Sequence, residues 1–212
     1  MRTSSRTVAL VLFDEVELLD VAGVIALLGA AGRHWNYRPF KIVPVSKRAG
    51  LIETRSQIRI EAKSTLEDCP KPELVVVPGG YGARRALTDP DVVGYLRSVA
   101  PSATHFLGVG NGVLLLSAAG LTAELHVVVP AEAAPLLADI SPSTRADVAG
   151  KFRHSGKILS AATAAGAIDA TLHLLSKLLG KKQAETVALS LGFAWTEGDS
   201  SAVTIVDAGV ED

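Results

Sequence analysis

Carboxylates are concentrated just after the first apolar stretch of the chain, in FDEVELLD at residues 13–20. Asp14, Glu15 and Glu17 are typical of a helix start, because acidic side chains cap the first turn and favour the positive end of the helix dipole. Asp20 stands between two apolar residues, and an apolar pocket raises the pKa of a carboxyl. We therefore take Asp20 as a candidate general acid/base, with a further helix-start carboxylate as the alternative.

A cluster of glycines follows a second apolar stretch, in VVVPGGYGARRAL at residues 75–87. Gly79 and Gly80 precede a helical pattern, and backbone N–H groups left open by glycines at such a point can bind an anion or a developing oxyanion. The same PGG segment also suits an ordinary tight turn, and it is neither a Walker loop nor a G-x-G-x-x-G motif. Both interpretations stay open on these residues alone.

The third stretch, HFLGVGNGVLLLSAAGL at residues 105–121, runs from a strand pattern through closely spaced glycines into a helix pattern. A sharp strand-to-helix corner is how α/β hydrolytic folds present a nucleophile, and the N–H of the following residue contributes to the oxyanion hole. Gly110 stands at the corner and Asn111 follows it. The bend is therefore predicted, but Gly110 carries no group that can attack a substrate.

These three stretches all follow predicted strands of one α/β sheet. Apolar β-rich runs alternate with segments of helical spacing, which is typical of a parallel sheet with crossover helices. We predict strands at 7–13, 40–45, 73–77 and 104–109, and helices at 16–32, 90–100, 111–119 and 164–180. Ligands bind beyond the carboxyl ends of such strands, so we expect the three stretches to meet there.

Two further segments predict smaller β features. Residues 50–61 alternate apolar and polar positions around a polar centre, as in a short antiparallel hairpin appended to the sheet. Residues 145–160 indicate another strand pair, with turns at Gly150 and Gly156.

Composition narrows the class of protein. Of the 212 residues, 48% are hydrophobic and 20% charged, which is enough apolar residues to form a substantial core. We predict one domain over 1–195 with a C-terminal tail at 196–212. Lysine and arginine number 21 against 22 acidic residues, so no charge field draws the chain to nucleic acid or a membrane, and a small neutral molecule suits it better. No apolar run is long enough to span a bilayer and no signal-peptide pattern opens the chain, so we expect a cytoplasmic protein.

Metal and disulfide chemistry is not expected. Cys69 is the one cysteine, which excludes an internal disulfide and a cysteine-based metal site. The five histidines show no H-x-H or H-x-x-x-H spacing, so we expect no metal and no cofactor. Cys69 itself suits a small buried position.

Four motifs, in order, resemble the ThiJ/PfpI superfamily, also called class I glutamine amidotransferase-like, and its isonitrile hydratase branch in particular. They are VLFDEVELLDVAG, EDCPKPELVVVPGGYG, the corner with LLLSAAGL, and AAGAIDATLHLL. The resemblance covers about residues 7–195. It implies a flavodoxin-like three-layer α/β sandwich with a mainly parallel central sheet, helices on both faces and the small appended hairpin, and it implies a homodimer.

In the family that the chain resembles, the corner carries a cysteine as nucleophile, with the PGG glycine N–H beside it. This chain has Gly110 at the cysteine position and Asn111 at the next, so no thiolate or covalent intermediate forms there. The family's acid near the cysteine maps onto Asp20 through LLDVAG. A T-T-H-W segment of many members is replaced by VVVPAE, which puts Pro130 in the histidine position. These changes favour natural divergence over an engineered Cys→Gly change.

Three functions stay open. A pocket over Gly79, Gly80, Gly110 and Asn111 makes the chain a non-catalytic small-molecule-binding or regulatory domain. Alternatively, Asp20 acts as general acid/base in a hydratase- or lyase-like reaction, while N–H groups beside it stabilise charge. In the third case the pocket has collapsed and the domain serves only in assembly. Related regulators carry such a domain fused to an AraC-type DNA-binding domain, but the chain shows no basic helix-turn-helix pattern, so direct DNA binding is not expected.

Overall fold

The centre of the fold is a seven-stranded, mostly parallel sheet. This computed structural model describes residues 5–33 and 36–195. The described residues form the strands β1 (Arg6–Val11), β2 (Phe40–Ser46), β3 (Gly50–Glu53), β4 (Arg59–Ala62), β5 (Ser64–Thr65), β6 (Leu74–Val77), β7 (His105–Val109), β8 (His126–Val128), β9 (Arg145–Asp147), β10 (Phe152–Ser155) and β11 (Ile158–Ala161). The main sheet has the order β10-β11-β7-β6-β1-β2-β5, and its neighbours pair in parallel except for β10 and β11.

Helices cover both faces of this sheet, as the predicted three-layer sandwich requires. They are α1 (Leu18–Ala30), α2 (Tyr81–Ala86), α3 (Pro90–Val99), α4 (Gly112–Ala118), α5 (Ala134–Ile140), α6 (Ala164–Leu179) and α7 (Lys181–Ser190). Helices α1, α6 and α7 contact one another on one face, while α4 contacts α2, α3 and α5 on the other. The flavodoxin-like α/β fold class is thereby confirmed.

The core is built from the strands that were predicted from apolar runs. Strands β1, β6 and β7 have almost every residue buried, because helices shield both sides of a parallel sheet. One cluster of buried apolar side chains extends from Val8 in β1 to Ala188 in α7. The single-domain organisation over 1–195 stays a prediction, and the predicted tail at 196–212 lies outside the described residues.

The appended hairpin is present as β3 and β4, which pair antiparallel as a separate two-stranded sheet. The predicted strand pair at 145–160 is correct only around Gly156, where β10 and β11 form a hairpin at the edge of the main sheet. The segment before Gly150 is β9, which instead pairs in parallel with β8. A strand as short as β8 carries no readable alternation of its own, and this pairing depends on tertiary contact.

Because the strands of the main sheet are parallel, the segments that follow β1, β6, β7 and β11 meet at one edge. These segments are the three stretches that were expected to carry chemistry, joined by the loop after β11. Within the part of the chain that the structure describes, no helix combines the length and apolar character needed to cross a bilayer.

Candidate functional site

A cleft of about 530 Å³ opens at the carboxyl edge of the sheet. It is bordered by the starts of α1, α2 and α4, by the loop after β11, by the tip of the β3–β4 hairpin and by the turn after β8. Its lining residues are Glu17, Leu19, Asp20, Arg55, Gly80, Tyr81, Arg84, Gly110, Asn111, Pro130, Glu132, Ala162, Thr163 and Ala164. The cleft borders both Asp20 and Gly110, so the site has not collapsed.

Gly110 forms the corner between β7 and α4. Its φ is +53°, a left-handed conformation that glycine adopts without strain, and its N–H donates to the Ala161 carbonyl at 2.8 Å. A Cβ placed on Gly110 would have its nearest neighbours at 3.8 to 3.9 Å, which is ordinary contact distance. One of those neighbours is Oδ2 of Asp20. The corner therefore holds open a space next to a carboxylate.

The glycines on either side of Gly110 have a different reason to be small. A Cβ on Gly112 would overlap the Val77 carbonyl oxygen, because the first turn of α4 lies directly on the end of β6. A Cβ on Gly108 would lie 2.9 Å from a methyl carbon of Leu116. The G-x-G-x-G spacing thus sets the close approach of α4 to the sheet, whereas Gly110 faces free space.

Asp20 lies in the first turn of α1 and is only 5% exposed. Its Oδ2 accepts the Gly79 N–H at 2.9 Å. Burial raises the pKa of this carboxyl to about 6; the Gly79 N–H opposes that rise, and the nearby charge of Glu17 adds to it. Asp20 is therefore a carboxyl that gains and loses its proton close to neutral pH, at the edge of the space above Gly110.

The three backbone N–H groups predicted for ligand binding are in different states. The Gly79 N–H is already donated to Asp20, so Gly79 holds the carboxyl rather than offering a donor to the cleft. The N–H groups of Gly80 and Asn111 have no acceptor within residues 5–33 and 36–195. The Asn111 side chain donates from Nδ2 to the Gly80 carbonyl at 3.4 Å, while its Oδ1 is buried without a partner among the described atoms.

The other acidic residues stand just before α1, as expected, but none of their side chains caps the helix, which corrects only the capping part of the helix-start interpretation. Glu17 occupies the cap position, but its side chain makes no capping hydrogen bond. Asp14 instead accepts the Glu53 N–H at 3.1 Å, and Glu15 pairs with Arg85 of α2. These carboxylates tie the segment after β1 to the hairpin and to α2, and so position the rim of the cleft.

Several residues of the cleft had no signal in the sequence. Arg55 lies at the hairpin tip, where its guanidinium stacks over the Tyr81 ring with 4.7 Å to the ring centroid. Arg84 comes from α2 and Glu132 from the turn after β8. Pro130, which was placed in the histidine position of the motif, does line the cleft.

Neither a thiol nor a metal-ligand cluster is found in the cleft. Cys69 lines a separate groove against α3, where its thiol donates to the Pro70 carbonyl at 3.3 Å and burial raises its pKa. Among the residues that the structure describes, no group of three or more His, Cys, Asp or Glu side chains is arranged to hold a metal ion.

The sequence profile of the DJ-1/PfpI family matches residues 6–176, which includes the whole corner, Asp20 and the glycines after β6. The chain belongs to the DJ-1/PfpI family. This confirms the resemblance to ThiJ/PfpI proteins that the four motifs indicated. That Gly110 stands at the position of the family's cysteine stays a prediction.

Individual relatives agree with this membership. The chain is 29% identical over 195 residues to the isonitrile hydratase of Pseudomonas putida, covering 88% of this chain and 78% of that protein. The crystal structure of an AraC family transcriptional regulator from Pseudomonas putida superposes with a TM-score of 0.79 at 24% identity, covering 88% of this chain and 99% of that one. Drosophila melanogaster DJ-1beta superposes with a TM-score of 0.79 at 17% identity, covering 91% and 100%. At these identities the two structures establish the fold alone.

Proposed function

We propose that this DJ-1/PfpI family protein binds a small molecule in the cleft above Gly110 without forming a covalent bond to it, as a binding or regulatory domain. The observation that carries the proposal is the open space over Gly110. A Cβ placed on Gly110 would extend into this space to 3.9 Å from Asp20 Oδ2. Gly80 and Asn111, whose N–H groups have no acceptor among the described residues, line the same cleft. A cleft with a few convergent polar groups is the usual form of a small-molecule site.

Covalent catalysis has no nucleophile at this corner. A glycine has no side chain to ionise, and the one cysteine of the chain lines a different groove. The polar groups that surround the space, a carboxyl and backbone N–H donors, bind and orient a ligand without reacting with it.

The alternative function is hydration by acid/base catalysis, and the pKa of Asp20 near 6 favours it. With an isonitrile, the protonated Asp20 carboxyl would deliver its proton to the terminal carbon, and a water oxygen would add to the same carbon. The carboxylate would then take a proton from that water, which leaves an N-substituted formimidic acid. Transfer of its remaining O–H proton to the nitrogen would give the N-substituted formamide. The Gly80 and Asn111 N–H groups would donate hydrogen bonds to the oxygen that has added to the carbon.

Two measurements on the full chain separate these functions. The backbone amide resonances of Gly80, Gly110 and Asn111 should shift saturably when N-methylformamide is titrated, while alkyl isonitriles, amides and 2-oxoaldehydes should yield no product. Formamide production with a pH midpoint near 6 that Asp20→Asn abolishes would establish the alternative and overturn the binding-only proposal. Absence of turnover, together with the absence of shifts from neutral, anionic, cationic and zwitterionic small molecules alike, would overturn both.

A restored thiol tests whether the corner lacks only its nucleophile. Gly110→Cys, made together with Cys69→Ser so that one thiol remains, should gain isonitrile hydration because its Cβ has room beside Asp20. Gly110→Ala is the matched control, since it adds the same Cβ without a thiol and should stay inactive. A folded, alkylatable but inactive cysteine variant would show that the rest of the site has also diverged.

We also propose that the protein acts as a homodimer in the cytoplasm. Exposed apolar side chains are found on the hairpin, at Leu51 and Ile58, and in the cleft lining, at Leu19 and Tyr81, and exposed apolar surface favours self-association. Native mass spectrometry should therefore give twice the 22.1 kDa of one chain. A monomer at micromolar concentration would refute this assignment.

A further inference from the structure

Charged residues of opposite sign stand on opposite sides of the cleft. The corner at Gly110 follows β7, which lies between β11 and β6 in the sheet. Helix α2, which carries Arg84, follows β6 on one side of β7. The turn that carries Glu132 follows β8, which packs against β10 and β11 on the other side. A ligand above Gly110 therefore lies between a cationic side and an acidic side.

On the cationic side, Arg84 is free to bind a ligand. It has no ion pair or hydrogen bond with any described residue, whereas its neighbour Arg85 pairs with Glu15. Arg55, on the same side, forms an ion pair with Glu17, with 4.0 Å between its guanidinium nitrogen and the carboxylate oxygen, and its guanidinium stacks on the Tyr81 ring. An ion pair that long and that exposed holds its guanidinium weakly, so Arg55 can turn toward a ligand carboxylate.

On the acidic side, Glu132 is exposed and has no ion-pair partner within the described ranges. It repels a ligand that carries only a negative charge, and Arg84 repels one that carries only a positive charge. Asp20 adds negative charge near the inner end of the cleft as the pH rises above about 6. The charge pattern is therefore complementary to a molecule that has both signs at separate ends.

Building on the proposed function, we infer that the ligand of this cleft is a small zwitterion of the amino-acid class, with its carboxylate toward Arg84 and its ammonium toward Glu132. The guanidinium of Arg84 offers paired donors that match a carboxylate. The chain of the ligand between its two charged ends would lie over Gly110, where the absence of a side chain leaves room. Arg84 and Glu132 would then determine specificity, while Gly80 and Asn111 contribute donors common to any ligand.

The experiment is a titration of the ¹⁵N-labelled full chain, followed at the amide resonances of Gly110 and Asn111. The probes are the ω-amino acids from glycine to 6-aminohexanoate, the carboxylate and the amine of each length, and N-methylformamide as a neutral probe. The ω-amino acid that binds most tightly should have a Kd about tenfold lower than that of the carboxylate or the amine of the same chain length. Arg84→Gln and Glu132→Gln should each remove about that factor. Arg38→Gln should leave binding unchanged, because Arg38 is an exposed arginine just before β2, at the opposite edge of the sheet from the cleft.

Each other outcome counts against the inference. A carboxylate that binds as tightly as its amino acid, with no effect of Glu132→Gln, would reduce the site to a simple anion site. If N-methylformamide shifts the two amides and no amino acid does, the zwitterion assignment fails while the proposed function stands. If no probe shifts them, both fail.

Discussion

Replacing Asp20 with asparagine should stabilise the protein at neutral pH. The substitution keeps the side-chain shape and an oxygen that accepts the Gly79 N–H, but it removes the charge that burial opposes. Burial raises the pKa of the Asp20 carboxyl from 3.8 to about 6. Since each pKa unit corresponds to 1.36 kcal/mol, ionising this carboxyl in the native state costs about 3 kcal/mol.

The sign of the pH dependence follows from where the proton binds more tightly. The native carboxyl holds its proton up to about pH 6, and the unfolded one releases it near 3.8. The wild-type protein therefore loses this stability as the pH rises from about 4 through 6, and Asp20→Asn does not. The difference in unfolding free energy, variant minus wild type, should grow by about 2 kcal/mol between pH 4 and pH 8, because the unfolded carboxyl is already more than half ionised at pH 4.

Urea unfolding at intervals between pH 4 and pH 8 measures this difference directly, and the histidines contribute equally to both proteins. Asp139→Asn is the matched control, because it makes the same substitution at an exposed aspartate of α5. A flat difference for Asp20→Asn, or one that shrinks with rising pH, would show that Asp20 is not the desolvated carboxyl described above.

Further variants test other parts of the fold. Burial lowers the pKa of His154 in the native state, so as the pH falls through about 6.5 the unfolded chain takes up a proton before the native protein does. This difference destabilises the wild type. In urea melts His154→Phe should therefore lose less stability between pH 7 and pH 5 than the wild type. Gly112→Ala should lower the unfolding free energy by about 3 kcal/mol, because the added Cβ would overlap the Val77 carbonyl oxygen. Gly94→Ala in α3, where a Cβ would have no neighbour within 4 Å, should raise the unfolding free energy by about 1 kcal/mol. Equal effects of the two substitutions would contradict the packing described for α4. Thr163→Ala should cost about 1 kcal/mol by removing the cap on the Gly166 N–H, and Thr163→Ser should restore thermal stability.

The parallel sheet and the corner at Gly110 could be predicted because their signals are local. A short, valine-rich apolar run that ends at a proline and two glycines, such as residues 74–77, favours a buried strand, and the glycines on both sides of Gly110 indicate a sharp turn. Asp20 could be singled out because a carboxylate between apolar neighbours is costly unless it is held, and the Gly79 N–H holds it.

The charged walls of the cleft could not be predicted in the same way. Arg55, Arg84 and Glu132 are far apart in the chain, and each lies in a segment that reads as an ordinary exposed turn or helix. Their meeting depends on the strand order, which places β6 and β11 on either side of β7. That the Gly79 N–H donates to Asp20 could not be predicted either, because only the folded chain brings α1 within hydrogen-bond distance of Gly79.

The free space above Gly110 has a genetic consequence. The corner already has the left-handed backbone that its bend requires, and it leaves room for one more side chain beside a carboxyl. A glycine codon GGT or GGC becomes a cysteine codon through a change of one base. An L residue in that conformation costs about 1 to 2 kcal/mol, which a stable fold tolerates. Where the Gly110 codon is GGT or GGC, a single point mutation therefore places a thiol in this cleft, which makes the corner a starting point for directed evolution of new reactivity.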